Sequence, residues 1–140
     1  MLAEEEKADI QRSYTDWLAA RELKPRHGQR QMIAEVARVL SNARFGSADR
    51  GEVIAAIEAG TGTGKTIAYA VTAIPMALAL GKRLVVATAT IALQEQFVNK
   101  DLPDIKHHRG LEFSYALAKG RRRYVCLSKL DRLLVEGQGD

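Results

Sequence analysis

At 140 residues with 46% hydrophobic content, the chain is long enough for one domain at most, burying roughly two thirds of its unfolded surface if its sheet is complete. No apolar run approaches the ~18 residues of a membrane span, and Met1-Leu2-Ala3-Glu4-Glu5-Glu6 lacks a basic-then-apolar signal, so a soluble cytoplasmic protein with no membrane partner is expected. The single cysteine, Cys126, excludes an internal disulfide, and the net charge of +4 is uneven: acids crowd the first residues, while Lys119, Arg121, Arg122 and Arg123 form a basic knot beside Tyr124.

In chain order, residues 3–23 carry helical spacing with Ile10, Tyr14, Trp17 and Leu18 on one stripe, closed by Pro25. A second helix is predicted from about Gln29 to Leu40, with Ile33, Val36, Ala37 and Leu40 inward, and a surface loop from Gly46 to Gly51. Glu52 to Ile57 reads as a buried strand. A glycine-rich loop follows, then a helix from about Lys65 that Pro75 should end or kink near Ile74, with Gly81 marking the turn out. Arg83 to Thr88 reads as a second buried strand, parallel to the first through a right-handed crossover. A helix from near Thr90 carries Leu93, Phe97 and Val98. Leu102-Pro103-Asp104 then leads to a loop with His107 and His108, whose spacing lacks partners for a metal. Phe113 to Leu117 suits a third strand, and Lys129 to Arg132 belongs to an amphipathic helix after Tyr124. The basic knot has two readings, a solvated loop or a grip on a nucleic-acid backbone with Tyr124 stacking on a base.

The segment Ala59-Gly60-Thr61-Gly62-Thr63-Gly64-Lys65-Thr66 matches the phosphate-loop pattern G-x-x-x-x-G-K-[ST], except that Ala59 stands at its first glycine. Glycines at 60, 62 and 64 let backbone amides approach phosphate oxygens without Cβ clashes. Lys65 would reach the β- and γ-phosphates, and Thr66 would offer its hydroxyl to Mg²⁺. The start of the following helix turns its positive dipole end toward the same anion. Nucleotide binding is the chemistry these residue types at this spacing serve; the competing reading is a flexible Gly/Thr linker.

Three segments in register then resemble a known family, the bacterial DinG and YoaA type of superfamily 2 DNA helicases, relatives of the XPD helicases, over about residues 25–135. Pro25-Arg26-His27-Gly28-Gln29-Arg30-Gln31-Met32 resembles the family's Q motif, which implies an adenine contact by Gln29 and a preference for ATP. Val86 to Gln96 resembles motif Ia, which implies contacts from Thr88, Thr90 and Gln94 to the backbone of single-stranded DNA. The threonine hydroxyls and the amides of the next helix suit a phosphate oxygen, and Thr90 also suits a helix cap. Ala118 to Leu127 is similar to the family's Lys-Gly-Arg-x-x-Tyr-x-Cys stretch, which implies Cys126 as the first ligand of a [4Fe–4S] cluster, while contact of Arg121, Arg122, Arg123 and Tyr124 with DNA stays the second reading of the basic knot.

One thiolate cannot hold a cluster that needs four, so the cluster is not expected in these 140 residues. The family's acidic Walker B residue and its second motor domain come later than position 140, which suggests an N-terminal piece of an ATP-dependent 5′-to-3′ DNA helicase serving repair or replication. The resemblance implies an α/β fold: a P-loop NTPase, RecA-like parallel sheet flanked by helices, incomplete, and preceded by N-terminal helices. The corresponding units are a helical segment at 1–24, the start of the ATP-binding domain at 25–118, and the start of the iron–sulfur-type insertion at 119–140. Two alternatives stay open, a non-catalytic nucleotide- or DNA-binding module and a small P-loop kinase with Arg121 to Arg123 as its lid.

Overall fold

The computed structural model describes residues 4–42, 53–109 and 111–136. Helix α1 (Glu4–Ala20) opens with Glu4, Glu5 and Glu6, whose charges favour the positive end of its dipole. Ile10, Tyr14 and Leu18 recur every four residues and are buried, while Trp17 packs half-buried beside them. Helix α2 (His27–Asn42) buries Gln29, Met32, Ile33 and Ala37, with Val36 and Leu40 at the margin of the core. The stripes expected from the sequence are therefore the packed ones, with Ser13, Gln29 and Met32 added. The expected loop at Gly46 to Gly51 lies outside the described residues.

Helix α3 (Lys65–Ala79) is the centre of the core. It is apolar on nearly every side, the pattern of a helix with no solvent face. Ala68, Ala70 and Val71 have no exposed surface, so α1 and α2 approach the α3 backbone closely. Thr72 is equally buried, and its hydroxyl donates to the Ala68 carbonyl at 2.7 Å, which removes the cost of enclosing it. Gly81 makes the turn after α3 with φ +59°.

The next helical run has three pieces: α4 (Ile91–Gln96), a π turn over Phe97–Asp101, and α5 (Leu102–Arg109). Phe97, Leu102 and Ile105 enter the core. A 3₁₀ turn at Arg121–Arg123 and helix α6 (Leu127–Glu136) complete the order, and α6 buries none of its residues. Among the described residues no helix is long and apolar enough to cross a membrane.

Three expectations are overturned. The first is the parallel sheet: residues 53–60, 82–88 and 111–120 form no strand, and among the described residues no backbone hydrogen bond joins one of these segments to another. The fold is an assembly of helices, not the α/β sheet of a RecA-like domain. An apolar β-branched run sets a local preference, but a strand exists only through ladder bonds to a neighbour about 4.8 Å away. Here single residues of each run reach the helices, Ile57, Val86 and Phe113 among them, while Ile54 and Val85 stay 83% and 87% exposed.

The second is the ending of α3, one of two effects expected of Pro75: the helix continues to Ala79 with Pro75 buried inside it. The missing N–H removes one helical bond, and the surrounding core offsets that loss. The third is the loop at His107 and His108, which is helical as part of α5. Proline clashes with the carbonyl four residues back, and the wide π turn lies directly before Pro103, with the Leu102 N–H bonded to the Phe97 carbonyl five residues back.

Candidate functional site

The Gly60 to Thr66 loop is a short, internally bonded turn at the start of α3. Thr63 donates twice to the Gly60 carbonyl, through its hydroxyl at 2.7 Å and its N–H at 3.4 Å. Gly62 and Gly64 have φ of +76° and +79°, values a side chain makes costly. At Gly62 an added Cβ would meet open space, whereas at Gly64 it would fall on Nε2 of Gln29. Gly64 is also the N-cap of α3 and offers no side-chain acceptor, so the first-turn amides of α3 keep their donor capacity toward the open end of the helix.

Lys65 folds back over this turn, its Nζ donating to the carbonyls of Ala59 at 2.7 Å and Gly60 at 2.9 Å. Thr66, half-buried, hydrogen-bonds Tyr69, whose phenol is pushed above its ordinary range by burial despite that bond. Thr61 is exposed at the tip of the turn.

The start of α2 holds the loop from the other side. Nε2 of Gln29 donates to the Gly64 carbonyl at 3.1 Å, and the Arg26 guanidinium donates to the Gly62 carbonyl. Oε1 of Gln29 accepts the Tyr14 hydroxyl at 2.8 Å. Gln29, the residue expected at an adenine edge, thus stands 3% exposed between α1 and the glycine loop. Tyr14 and Arg26 escaped the sequence reading. Tyr14 was legible only as part of an apolar stripe, since nothing along the chain says where its hydroxyl points.

The DNA-contact candidates form a second, exposed cluster. Thr90 caps α4, its hydroxyl accepting the Leu93 N–H at 3.2 Å, and Thr88 donates to the Thr90 carbonyl at 3.3 Å. Gln94 reaches across to the basic knot, accepting from Arg123 at 2.8 Å and donating to the Ala118 carbonyl at 3.3 Å. Arg121, Arg122 and Arg123 share one 3₁₀ turn, and the Tyr124 hydroxyl accepts the Lys119 N–H at 2.9 Å, closing that turn. Two segments read separately in the sequence are therefore one surface, joined by Gln94 and Arg123. A cleft of about 850 Å³ borders it, lined by Ile74, Val86, Phe97 and Phe113, and contains none of the glycine-loop residues. The chemistry of the loop outweighs the size of that cleft as a guide to a phosphate ligand.

No protein-family model matches the chain. Its sequence is 46% identical over 107 residues to the ATP-dependent DNA helicase DinG of Photobacterium profundum, covering 76% of this chain and 15% of that protein. It is 44% identical over 109 residues to DinG of Escherichia coli, 78% of this chain and 14% of that protein. The YoaA helicase of Haemophilus influenzae is 38% identical over 114 residues, 81% of this chain and 16% of the relative. This chain is of the DinG/YoaA type. It spans about one sixth or less of the length of these DinG and YoaA helicases.

The iron–sulfur group implied by the DinG/YoaA resemblance can be tested against the donors present. Cys126 is exposed and is the one cysteine of the 140 residues, and among the described residues no three His, Cys, Asp or Glu side chains group as metal ligands. Four thiolates are required, so these residues do not fit such a cluster by themselves.

Proposed function

We propose that the chain is the ATP-binding N-terminal part of a DinG/YoaA-type helicase of the cytoplasm, working 5′ to 3′ on DNA in repair or replication. The observation that carries this reading is the Gly60 to Thr66 loop, held at Gly62 and Gly64 by the start of α2 while the amides opening α3 remain available to an anion. Gly60, Thr61, Gly62, Thr63 and Gly64 line the phosphates with their backbone. Lys65 exchanges the Ala59 and Gly60 carbonyls, which already attract its ammonium, for β- and γ-phosphate oxygens. Thr66 lies at the position where its hydroxyl serves Mg²⁺, an ion that neutralises phosphate charge. Gln29 is assigned the adenine edge, as the likeness of residues 25–32 to the Q motif implies.

Thr88, Thr90, Gln94 and the Arg121 to Tyr124 turn form the contact to single-stranded DNA, with arginines on phosphates and Tyr124, 55% exposed, able to stack on a base. This chain supplies the nucleotide grip and one strand contact, and hydrolysis coupled to unwinding belongs to the whole enzyme. ATP binding in the presence of Mg²⁺ tests the reading. Lys65→Ala should weaken ATP by at least about tenfold, or ~1.4 kcal/mol; unchanged affinity would overturn the assignment.

A further inference from the structure

The amide of Gln29 is engaged at both ends, and the chemistry of its partners fixes which end is which. The Gly64 carbonyl can only accept, so Nε2 must face it. Oε1 then faces Tyr14, whose phenol must donate. The same hydroxyl accepts the Arg26 N–H at 3.4 Å, so one oxygen on α1 touches both residues that grip the loop. Both Tyr14 and Gln29 are buried. Without the hydroxyl, Oε1 would be enclosed with no donor, and the amide would rotate or leave to recover one, withdrawing Nε2 from Gly64.

We propose that Tyr14 is a positioning residue for nucleotide binding, acting through Gln29 on the carbonyl of Gly64. This rests on reading residues 60–66 as the nucleotide loop. All described peptide bonds are trans, so the Gly64 carbonyl and the Lys65 N–H point in opposite directions. A carbonyl held toward Gln29 keeps that amide aimed out of the start of α3, where an anion is received. The Gly64 carbonyl also accepts the Ala68 N–H at 3.0 Å, the first bond of α3, and the Gln29 amide adds a second hold, from outside the helix, on a peptide whose glycine sets little preference of its own. The ring of Tyr14 packs with Ile10 and Leu18 as any aromatic would; the assigned role belongs to its oxygen.

The test compares Tyr14→Phe, Gln29→Ala and their double variant in the whole 140-residue chain, reading the Kd of a fluorescent ATP analogue with Mg²⁺ and amide hydrogen exchange at residues 60–66. Thr72→Val, which removes an equally buried hydroxyl bonded within its own helix, is the control. Tyr14→Phe should weaken ATP about three- to tenfold, the worth of one neutral hydrogen bond, and speed exchange in the loop. The double variant should be no worse than the weaker single, and Thr72→Val should leave Kd unchanged. Wild-type affinity and exchange in Tyr14→Phe, or fully additive losses in the double, would overturn the positioning role. Lys65→Ala separates the two readings: if it abolishes binding while Tyr14→Phe binds normally, only the role of Tyr14 falls. A wild-type chain that binds no ATP removes the nucleotide reading and the role of Tyr14 with it.

Discussion

Trp17 and Asp104, 87 residues apart in the chain, are hydrogen-bonded, indole Nε1 to Oδ2 at 2.9 Å. The other carboxylate oxygen takes Arg21 at 2.6 Å and His108 at 3.3 Å, so one acid ties the end of α1 to α5. Burial works to raise the Asp104 carboxyl, but the hydrogen bonds from Arg21 and Trp17 and the charges of Arg21 and His108 prevail and hold it below its ordinary value.

Acid should therefore loosen this tie. A carboxyl whose folded pKa is depressed adds stability that is present above its unfolded value, and that stability is lost as pH falls through the lower folded value. Thermal melting should drop below about pH 4. Asp104→Asn should cost about 1–3 kcal/mol near neutral pH and flatten that acid limb, which melting curves from pH 3 to 7 would check.

Asp101, three residues away, carries the opposite sign. Burial raises its carboxyl despite the Gln96 hydrogen bond, so its charged form weakens the fold and its protonation on acidification strengthens it. Asp101→Asn should raise the melting temperature at pH 7, and an unchanged or lower value would contradict this.

Gly62 and Gly64 should differ on substitution although their φ angles are nearly the same. Gly62→Ala meets open space and should cost about 1–2 kcal/mol of backbone strain with ATP binding reduced but measurable. Gly64→Ala adds a collision with the Gln29 amide and should abolish ATP binding as well as lower stability further. Equal behaviour of the two variants in melting and binding would contradict the packing described.

Salt titration of single-stranded DNA binding should report the Arg121 to Arg123 turn. Each arginine that contacts a phosphate contributes about 0.7 to the slope of log K against log salt, so Arg121→Ala and Arg122→Ala should each flatten it by up to that amount. Gln94→Ala should weaken binding through loss of its bond to Arg123. Slopes identical to wild type in all three would remove the basic turn from the interface.

Exposed apolar side chains at Ile54, Val85, Val125 and Leu127 should make this chain self-associate with rising concentration. Ile54→Lys with Val85→Lys should reduce the association in sedimentation experiments. A wild-type chain that stays monomeric at high concentration would contradict it.

The glycine loop was legible because its requirement is local: φ near +77° and a lysine next to a helix start are written into consecutive residues. The stripes of α1 and α2 were legible for a similar reason, since helical spacing is a property of a dozen residues. The apolar runs at 53–57 and 83–88 were misread as paired strands because pairing is a bond between distant backbones and leaves no mark on either one. Pro75 misled as a helix end whose effect depended on the buried helix around it, and the loop expected after Leu102-Pro103-Asp104 is helical, with a π turn directly before the proline.

By itself the sequence determined the stripes of α1 and α2, the glycine-rich pattern at 60–66 and the likeness to DinG and YoaA helicases, all carried by side-chain type at short spacing. Only the tertiary structure decided that Gln29 is clasped between Tyr14 and Gly64, that Gln94 meets Arg123, and that the apolar runs go unpaired. A hydrogen bond between residues far apart in the chain has direction and distance but no sequence pattern, so it becomes visible only once packing brings its two ends together.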